Sequence, residues 1–426
     1  MDIFISTENQ PWVRCEPSTR QPTAHVAQGR DLLSDFKGFG ICFNELGWKA
    51  LQTLGENSRN EVLQTLFSDQ GLNLNYCRIP LGANDYSTDW YSHNETDGDF
   101  DMSRFSISRD HERLIPYLRA AQAAHGKPFT LFASPWSPPV WMKTHKAYNY
   151  GTLIWEPDYL RAYALYFVRF VQAYAAEGIQ IDAVHVQNEP DSDQKFPSCL
   201  WTGEKLAAFI RDYLAPAFKA AGLSTKIWLG TIERPSFNDW LAPTLLDPNT
   251  ASLISGVGFQ WAGKGAVVRT RQVAPDLPII QTENECGDGQ NTWDYAHYIY
   301  DLIRHYLGLG SEAYVYWNAV LEEGGISTWG WRQNSLVTID TAARTYAFRP
   351  EFYVLKHFTQ FLRPGARIIE GEGSASGNAV LFGLADGRTM AVLQNPLNRA
   401  LDVGVTINGQ TATVALPPKA FATVLA

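Results

Sequence analysis

Eight short apolar runs separated by helical stretches constrain this chain more than any other feature. The runs are Gly38–Phe43, Leu74–Pro80, Phe129–Ala133, Ala183–Gln187, Lys226–Gly230, Gly256–Trp261, Pro278–Thr282 and Ala313–Trp317. A parallel strand buried on both faces reads as a continuous apolar run rather than an alternating one. Between the runs lie Arg59–Phe67, His111–Ala124, Tyr159–Ala175, Glu204–Ala221 and Trp293–Leu307. In Tyr159–Ala175, the residues Leu160, Tyr163, Phe167, Phe170, Val171 and Tyr174 recur at helical spacing, a stripe that packs a helix onto a strand wall. Eight such alternations with mostly short connections predict an α/β chain closed into a (β/α)8 TIM barrel, not an open doubly wound sheet.

The pattern changes towards the C-terminus. A helix over Arg349–Phe361 runs into Leu362-Arg363-Pro364-Gly365, a stop signal. Beyond it, Asn378–Gly383 and Thr389–Gln394 flank an Asp386-Gly387 turn, and Val403–Ile407 and Thr411–Leu416 flank Asn408-Gly409. Asx-Gly between β-like runs is the signature of a tight hairpin. An all-β sandwich is expected there, with an N-terminal strand around Ile3–Ser6 added to it. The organisation expected is therefore a strand segment over 1–30, a catalytic barrel over 31–364 and a β-sandwich over 365–426.

Composition removes several function classes. The net charge of −9 argues against nucleic acid or an anionic membrane as partner. No apolar run approaches the length of a membrane span, so no stable membrane insertion is expected. The start, Met1-Asp2-Ile3-Phe4-Ile5-Ser6, has no basic segment and no apolar core of a signal peptide. The chain is read as cytoplasmic, or as secreted or periplasmic if a leader has been removed. Its five cysteines, Cys15, Cys42, Cys77, Cys199 and Cys286, are scattered without CxxC pairing, which speaks for reduced thiols and against a disulfide framework. Scattered histidines and cysteines give no metal-ligand cluster, and no metal or organic cofactor is expected.

In such barrels the chemistry sits at the C-terminal ends of the strands. Two runs end there in glutamate: Val184-His185-Val186-Gln187-Asn188-Glu189-Pro190 and Ile279-Ile280-Gln281-Thr282-Glu283-Asn284-Glu285. A lone strand-end glutamate is ordinarily a solvated loop residue. A pair, each on its own barrel strand, is what glycoside hydrolysis requires: one acid to protonate the leaving oxygen and one carboxylate to attack the anomeric carbon or activate water. Glu283 and Glu285 share strand parity, so alternation does not separate them. Glu283 is preferred because it directly follows the apolar run. Around these carboxyls, Arg78 points a permanent charge into the mouth, either towards substrate or as a structural ion pair. Asp85 either accepts sugar hydroxyls or caps a turn. Ser134-Pro135-Trp136-Ser137-Pro138-Pro139 clamps Trp136 in a stiff loop, expected at the rim as a platform for a sugar face. Asn188 and Trp317 complete the set.

As a set these pieces resemble glycoside hydrolase family 30, whose best-known members are lysosomal-type glucosylceramidases. The similarity covers nearly the whole chain: Lys37-Gly38-Phe39-Gly40, Arg78-Ile79-Pro80-Leu81-Gly82, Asp85-Tyr86-Ser87, Ser134-Pro135-Trp136, Trp141-Met142-Lys143-Thr144, Gln187-Asn188-Glu189-Pro190, Thr282-Glu283 and Tyr316-Trp317-Asn318. The resemblance implies a retaining β-glycosidase, with Glu189 as acid/base and a glutamate of the seventh strand as nucleophile, Glu283 being favoured over Glu285 by the family's Thr-Glu pattern. It further implies a sugar subsite lined by Asp85, Trp136, Asn188 and Trp317, and a barrel fused to a sandwich built from both chain ends. Two places depart from the family pattern. A His-Trp-Tyr set after the sixth strand is replaced by Gln260-Trp261-Ala262, and an asparagine of the eighth-strand loop has no clear match among Trp329, Trp331 and Asn334. Gln260 and Trp261 are accordingly added to the substrate-binding set. A β-glucosidase or glucosylceramidase is the leading expectation. A β-1,6-glucanase or related β-glycanase is the alternative, and a non-catalytic carbohydrate-binding protein on the same scaffold is the rival from another class.

Overall fold

The computed structural model describes residues 1–426. Eight parallel strands close into a barrel in sequential order: Gly38–Cys42, Tyr76–Pro80, Thr130–Ser134, Ala183–His185, Lys226–Ile232, Val257–Gln260, Ile279–Glu283 and Ala313–Asn318. All eight expected runs are barrel strands. The first, second, seventh and eighth are buried at every residue, as strands with helices outside and side chains inside must be. Closure is tight at Gly40, where a Cβ would fall 1.5 Å from the Tyr76 carbonyl oxygen, so only glycine fits between the first two strands.

The helix after the third strand, Pro157–Ala176, starts with proline at its first position and buries Leu160, Tyr163, Phe167, Phe170, Val171 and Tyr174, the stripe seen in the sequence. The helix expected over Glu204–Ala221 is broken. Gly203–Phe209 and Ala215–Ala220 are α-helical, and Ile210–Leu214 between them is a π-turn. Pro216 has no N–H to continue the ladder, which accounts for the bulge just before it. After the eighth strand comes a small sheet that the sequence did not announce: Val320–Glu322, Val337–Asp340 and Thr345–Phe348. It anchors the long loop between residues 322 and 337 above the barrel mouth.

The β module is one continuous nine-stranded sheet, not two separate sheets. From edge to edge its strands are Gln410–Leu416, Leu401–Ile407, Ala24–Phe36, Ala366–Glu372, Ala379–Gly383, Thr389–Asn395, Ala420–Leu425, Asp2–Thr7 and Gln10–Cys15. It curls around a core containing Ile3, Val26, Ile369, Leu381, Val405, Val414 and Val424. Both expected hairpins form, and Asn408 and Gly409 take the left-handed conformations (φ 51° and 75°) that a two-residue turn needs. Strand Ala24–Phe36 pairs along its length with Ala366–Glu372, so residues 31–36 lie in this sheet and not in the barrel. The other face of the sheet packs on Trp293–Gly308 and Pro350–Thr359. There the Tyr300 hydroxyl donates to the Asn378 and Val392 carbonyls, and His357 bridges Ser6 and Thr423. Phe382, Met390, Val392 and Phe421 of the sheet share one apolar core with the barrel. No helix is long and apolar enough to cross a membrane.

Candidate active site

At the C-terminal ends of the strands lies a cavity of about 250 Å³. Its wall includes Asp85, Trp136, Glu189, Ser192, Glu233, Arg234, Trp261, Glu283, Trp331 and Gln333. That size is at the small end for a ligand pocket. Both glutamates singled out from the sequence face it. Glu285 does not: Lys264 and the Tyr298 hydroxyl hold its carboxylate, so the choice between Glu283 and Glu285 at the cavity falls to Glu283.

Beneath the cavity Arg78 is fully buried and organises the floor. Its Nε donates to Ser134 Oγ (2.8 Å), its Nη1 to Glu283 Oε2 (2.8 Å) and its Nη2 to Asn188 Oδ1 (2.6 Å). The guanidinium lies 4.4 Å from the Trp136 ring centre. It is thus placed behind the wall, with protein groups occupying its fork, rather than on the surface that meets a ligand. Asn188 also accepts from Thr231 Oγ1 and Gln260 Nε2, which fixes its oxygen.

Glu189 follows the fourth strand with φ of 47°, a left-handed conformation uncommon for a residue with a Cβ. Its N–H donates to the Thr231 carbonyl (3.2 Å), and Gln260 Nε2 donates to its Oε1 (2.9 Å). Glu283 receives Arg78 and, on its other oxygen, the Trp261 indole N–H at 3.2 Å. Burial pushes both acids up, the largest effect in each, and Arg78 works against it in both. The Glu189 charge raises Glu283 further. Two bare carboxylates in one buried cavity repel, so the pair holds a proton between them. The cationic fork touches Glu283, whereas the donor on Glu189 is a neutral amide. The Arg78 contact favours the charged form of Glu283, against the burial and the Glu189 charge that raise it.

Trp136 lies deeper than the rim position expected for it. It is 2% exposed and packs on Trp317, with ring centres 5.5 Å apart, so only part of its face meets the cavity. Trp317 stands behind it, its indole N–H donating to Gln333 Oε1 (2.8 Å). Asp85 is on the wall, with Gln333 Nε2 3.5 Å from its Oδ2. Burial, with the Glu189 charge adding to it, pushes the Asp85 acid up to about 7, against its own backbone N–H and Arg78, which lower it. Gln260 is fully buried one layer back, and Trp261 is on the wall. The segment Thr88–Ser106 contributes nothing to the cavity wall. Its His93 backbone bonds the Tyr166 hydroxyl, and its Tyr91 joins Tyr174 on the Asp110 carboxylate.

Sequence reasoning missed Glu233, Arg234, Gln333 and Trp331. Glu233-Arg234 directly follows the fifth strand, whose end was read at Gly230, and the strand in fact continues to Ile232. Reading that strand three or four residues further would have put a third strand-end carboxyl in view. Gln333 offered no signal: it approaches Asp85 and Trp317 only because the small three-stranded sheet folds its loop back over the mouth.

Comparisons with known proteins identify the family and the fold. Residues 36–362 match the glycosyl hydrolase family 30 TIM-barrel domain. The chain is 28% identical over 404 residues to the lysosomal acid glucosylceramidase of Mus musculus, covering 87% of this chain and 76% of that protein. It is 27% identical over 403 residues to the endo-1,6-β-D-glucanase of Neurospora crassa, covering 89% and 82%. Among solved structures, SrfJ from Salmonella typhimurium superimposes with a TM-score of 0.90 at 25% identity, covering 100% of this chain and 99% of that one. The endo-β1,6-glucanase BT3312 superimposes at 0.87 and 23% identity, covering 99% and 98%.

Proposed function

Because this chain belongs to glycosyl hydrolase family 30 and is a hydrolase of β-glycosides, we propose that it works with retention, Glu283 being the nucleophile and Glu189 the acid/base. One observation carries the assignment: the two buried carboxyls face one cavity, and the guanidinium of Arg78 bonds only one of them. In the first step a Glu283 oxygen bonds to the anomeric carbon. The bond from that carbon to the leaving oxygen breaks, and Glu189 gives its proton to that oxygen. The glycosyl ester neutralises Glu283, which removes the charge that had favoured the proton on Glu189. In the second step Glu189, now ionised, takes a proton from water as the water oxygen attacks the anomeric carbon, and Glu283 leaves as carboxylate. Arg78 and the Trp261 indole keep the charged form of Glu283 in place and return it to that state after each turnover.

Asp85, Trp136 and Gln333 are the groups for the sugar that is transferred. A carboxyl and an amide give a donor and acceptor array for adjacent hydroxyls, and the indole face suits the C–H surface of a pyranose. Trapping with a 2-deoxy-2-fluoro β-glycoside and peptide mass spectrometry tests the reading. A label on Glu283 and a β-configured product are expected. A label on Glu285, or an inverted product with no label, would overturn it.

A further inference from the structure

The wall of the cavity on the Glu189 side holds a third carboxyl that the double displacement does not use. Glu233, at the end of the fifth strand, is 2% exposed and lines the cavity. Its Oε1 accepts from the Asp191 N–H (2.9 Å) and the Ser192 hydroxyl (3.1 Å), just beyond Glu189. Its Oε2 is buried and has no hydrogen-bond partner. A buried polar atom left unpaired is costly, and in a ligand cavity its natural partner is the ligand. Beside it, Arg234 also lines the cavity and is held by Asp191, its Nε 3.2 Å from Oδ2 and its Nη2 3.4 Å from the carbonyl oxygen.

The position of this pair relative to the chemistry follows from the barrel order. Glu189 gives its proton to the leaving oxygen, so the leaving group lies against Glu189 and away from Asp85. Glu233 and Arg234 end the neighbouring strand, next to Glu189. We propose that they form the leaving-group subsite and select a sugar there over an alkyl or lipid alcohol; this rests on the retaining reading above. Burial, then the Glu189 charge, pushes the Glu233 acid up to about 8. With Oε1 occupied by two donors, the proton sits on Oε2, which then both donates to and accepts from a hydroxyl. Trp261 and Trp331, 6.1 Å apart between ring centres, supply the apolar face that a pyranose also presents. An alkyl chain in the same place leaves the acid unpaired, and a site built to bond hydroxyls discriminates strongly against a ligand that lacks them.

The test compares three substrates that share the best-accepted glycone: an aryl β-glycoside, an octyl β-glycoside and a β-linked disaccharide. Octanol and a sugar are both poor leaving groups that need the Glu189 proton, so a difference between them reports contacts and not acidity. In Glu233→Ala and Arg234→Met, kcat/KM on the disaccharide is expected to fall about tenfold or more beyond any fall on the octyl glycoside. Glu233→Gln restores the disaccharide activity to within about threefold, because an amide accepts at the turn and donates into the cavity as the neutral acid does. Equal losses on all three substrates in Glu233→Ala and Arg234→Met would overturn the proposal, as would a wild-type preference for the octyl glycoside over the disaccharide. Wild-type protein that cleaves no aryl β-glycoside would instead defeat the retaining reading itself.

Discussion

The two sides of the catalytic cavity are built differently. On the side of the second, third and eighth strands, polar groups are cross-tied: Arg78 to Ser134, Glu283 and Asn188, Gln333 to Asp85, Trp317 and Asn318, and Asn44 to Asn84 and Asn318. On the side of the fourth to sixth strands, Glu233 keeps an unpaired oxygen and Arg234 is about half exposed. The first side is preorganised, so a sugar placed there meets groups that need no rearrangement. The second retains unused hydrogen-bonding capacity. On the proposed reading, the difference teaches that the residue transferred is fixed in a rigid half and the group expelled is read by an adjustable one.

The sharpest way to break that comparison is at its hinge. Glu283→Gln should lower kcat on an aryl β-glycoside by on the order of 10⁴ or more, with the circular dichroism spectrum unchanged, since no other carboxylate faces the anomeric carbon beside Arg78. Retention of wild-type rate would remove Glu283 from the chemistry. Glu189→Gln acts on the adjustable side, and its effect should depend on the leaving group: roughly 10²–10⁴-fold for alkyl or sugar leaving groups and much less at the glycosylation step for activated aryl ones. A flat response across a leaving-group series contradicts its role as acid.

Asp85→Ala probes the rigid half. A loss in kcat/KM of about 10² is expected, the same for every leaving group, if two hydroxyl bonds are removed. A loss that varies with the leaving group would show that the two halves are not separate. The smallest effect is on stability. Burial holds the Asp85 proton to about pH 7, whereas an unfolded Asp releases it near about 4. The native state therefore binds more protons between these values, and the stability contributed is complete below the lower one and lost as pH rises through 7. The melting temperature of the wild type should fall more steeply from pH 5 to 8 than that of Asp85→Asn. Parallel curves would mean that Asp85 ionises as freely in the folded protein as in the unfolded one.

Periodicity made the barrel legible. Its strands are buried on both faces and its helices on one, and each leaves its own spacing in the sequence. The two glutamates were legible because strand ends are where such barrels place chemistry. The long strand Ala24–Phe36 was not, because its half-buried pattern carries Gln28, Gly29, Arg30 and Asp31 in the middle. Strand Ala420–Leu425 is short, lacks a hairpin partner next to it in sequence and is defined only by pairing with Asp2–Thr7 and Thr389–Asn395. Trp136 was placed at the rim because proline-clamped loops are usually exposed. The guanidinium of Arg78 draws the ring inward instead, and no local pattern encodes that contact. Glu233 and Gln333 are known only through neighbours distant in sequence.

The pairing of Asp2–Thr7 with Ala420–Leu425 also sets an order of events during synthesis. The first strand leaves the ribosome long before its partner exists. Until then Ile3 and Ile5, buried in the finished sheet, have only the hairpin with Gln10–Cys15 to cover them. A contact between opposite ends of a chain is among the slowest to form and the most exposed to misassociation while it waits. The barrel needs no such delay, since each of its strands pairs with the next to emerge except for the closing contact between Ala313–Asn318 and Gly38–Cys42. Nascent protein is thus expected to carry a nearly complete catalytic cavity before the sheet beside it is sealed.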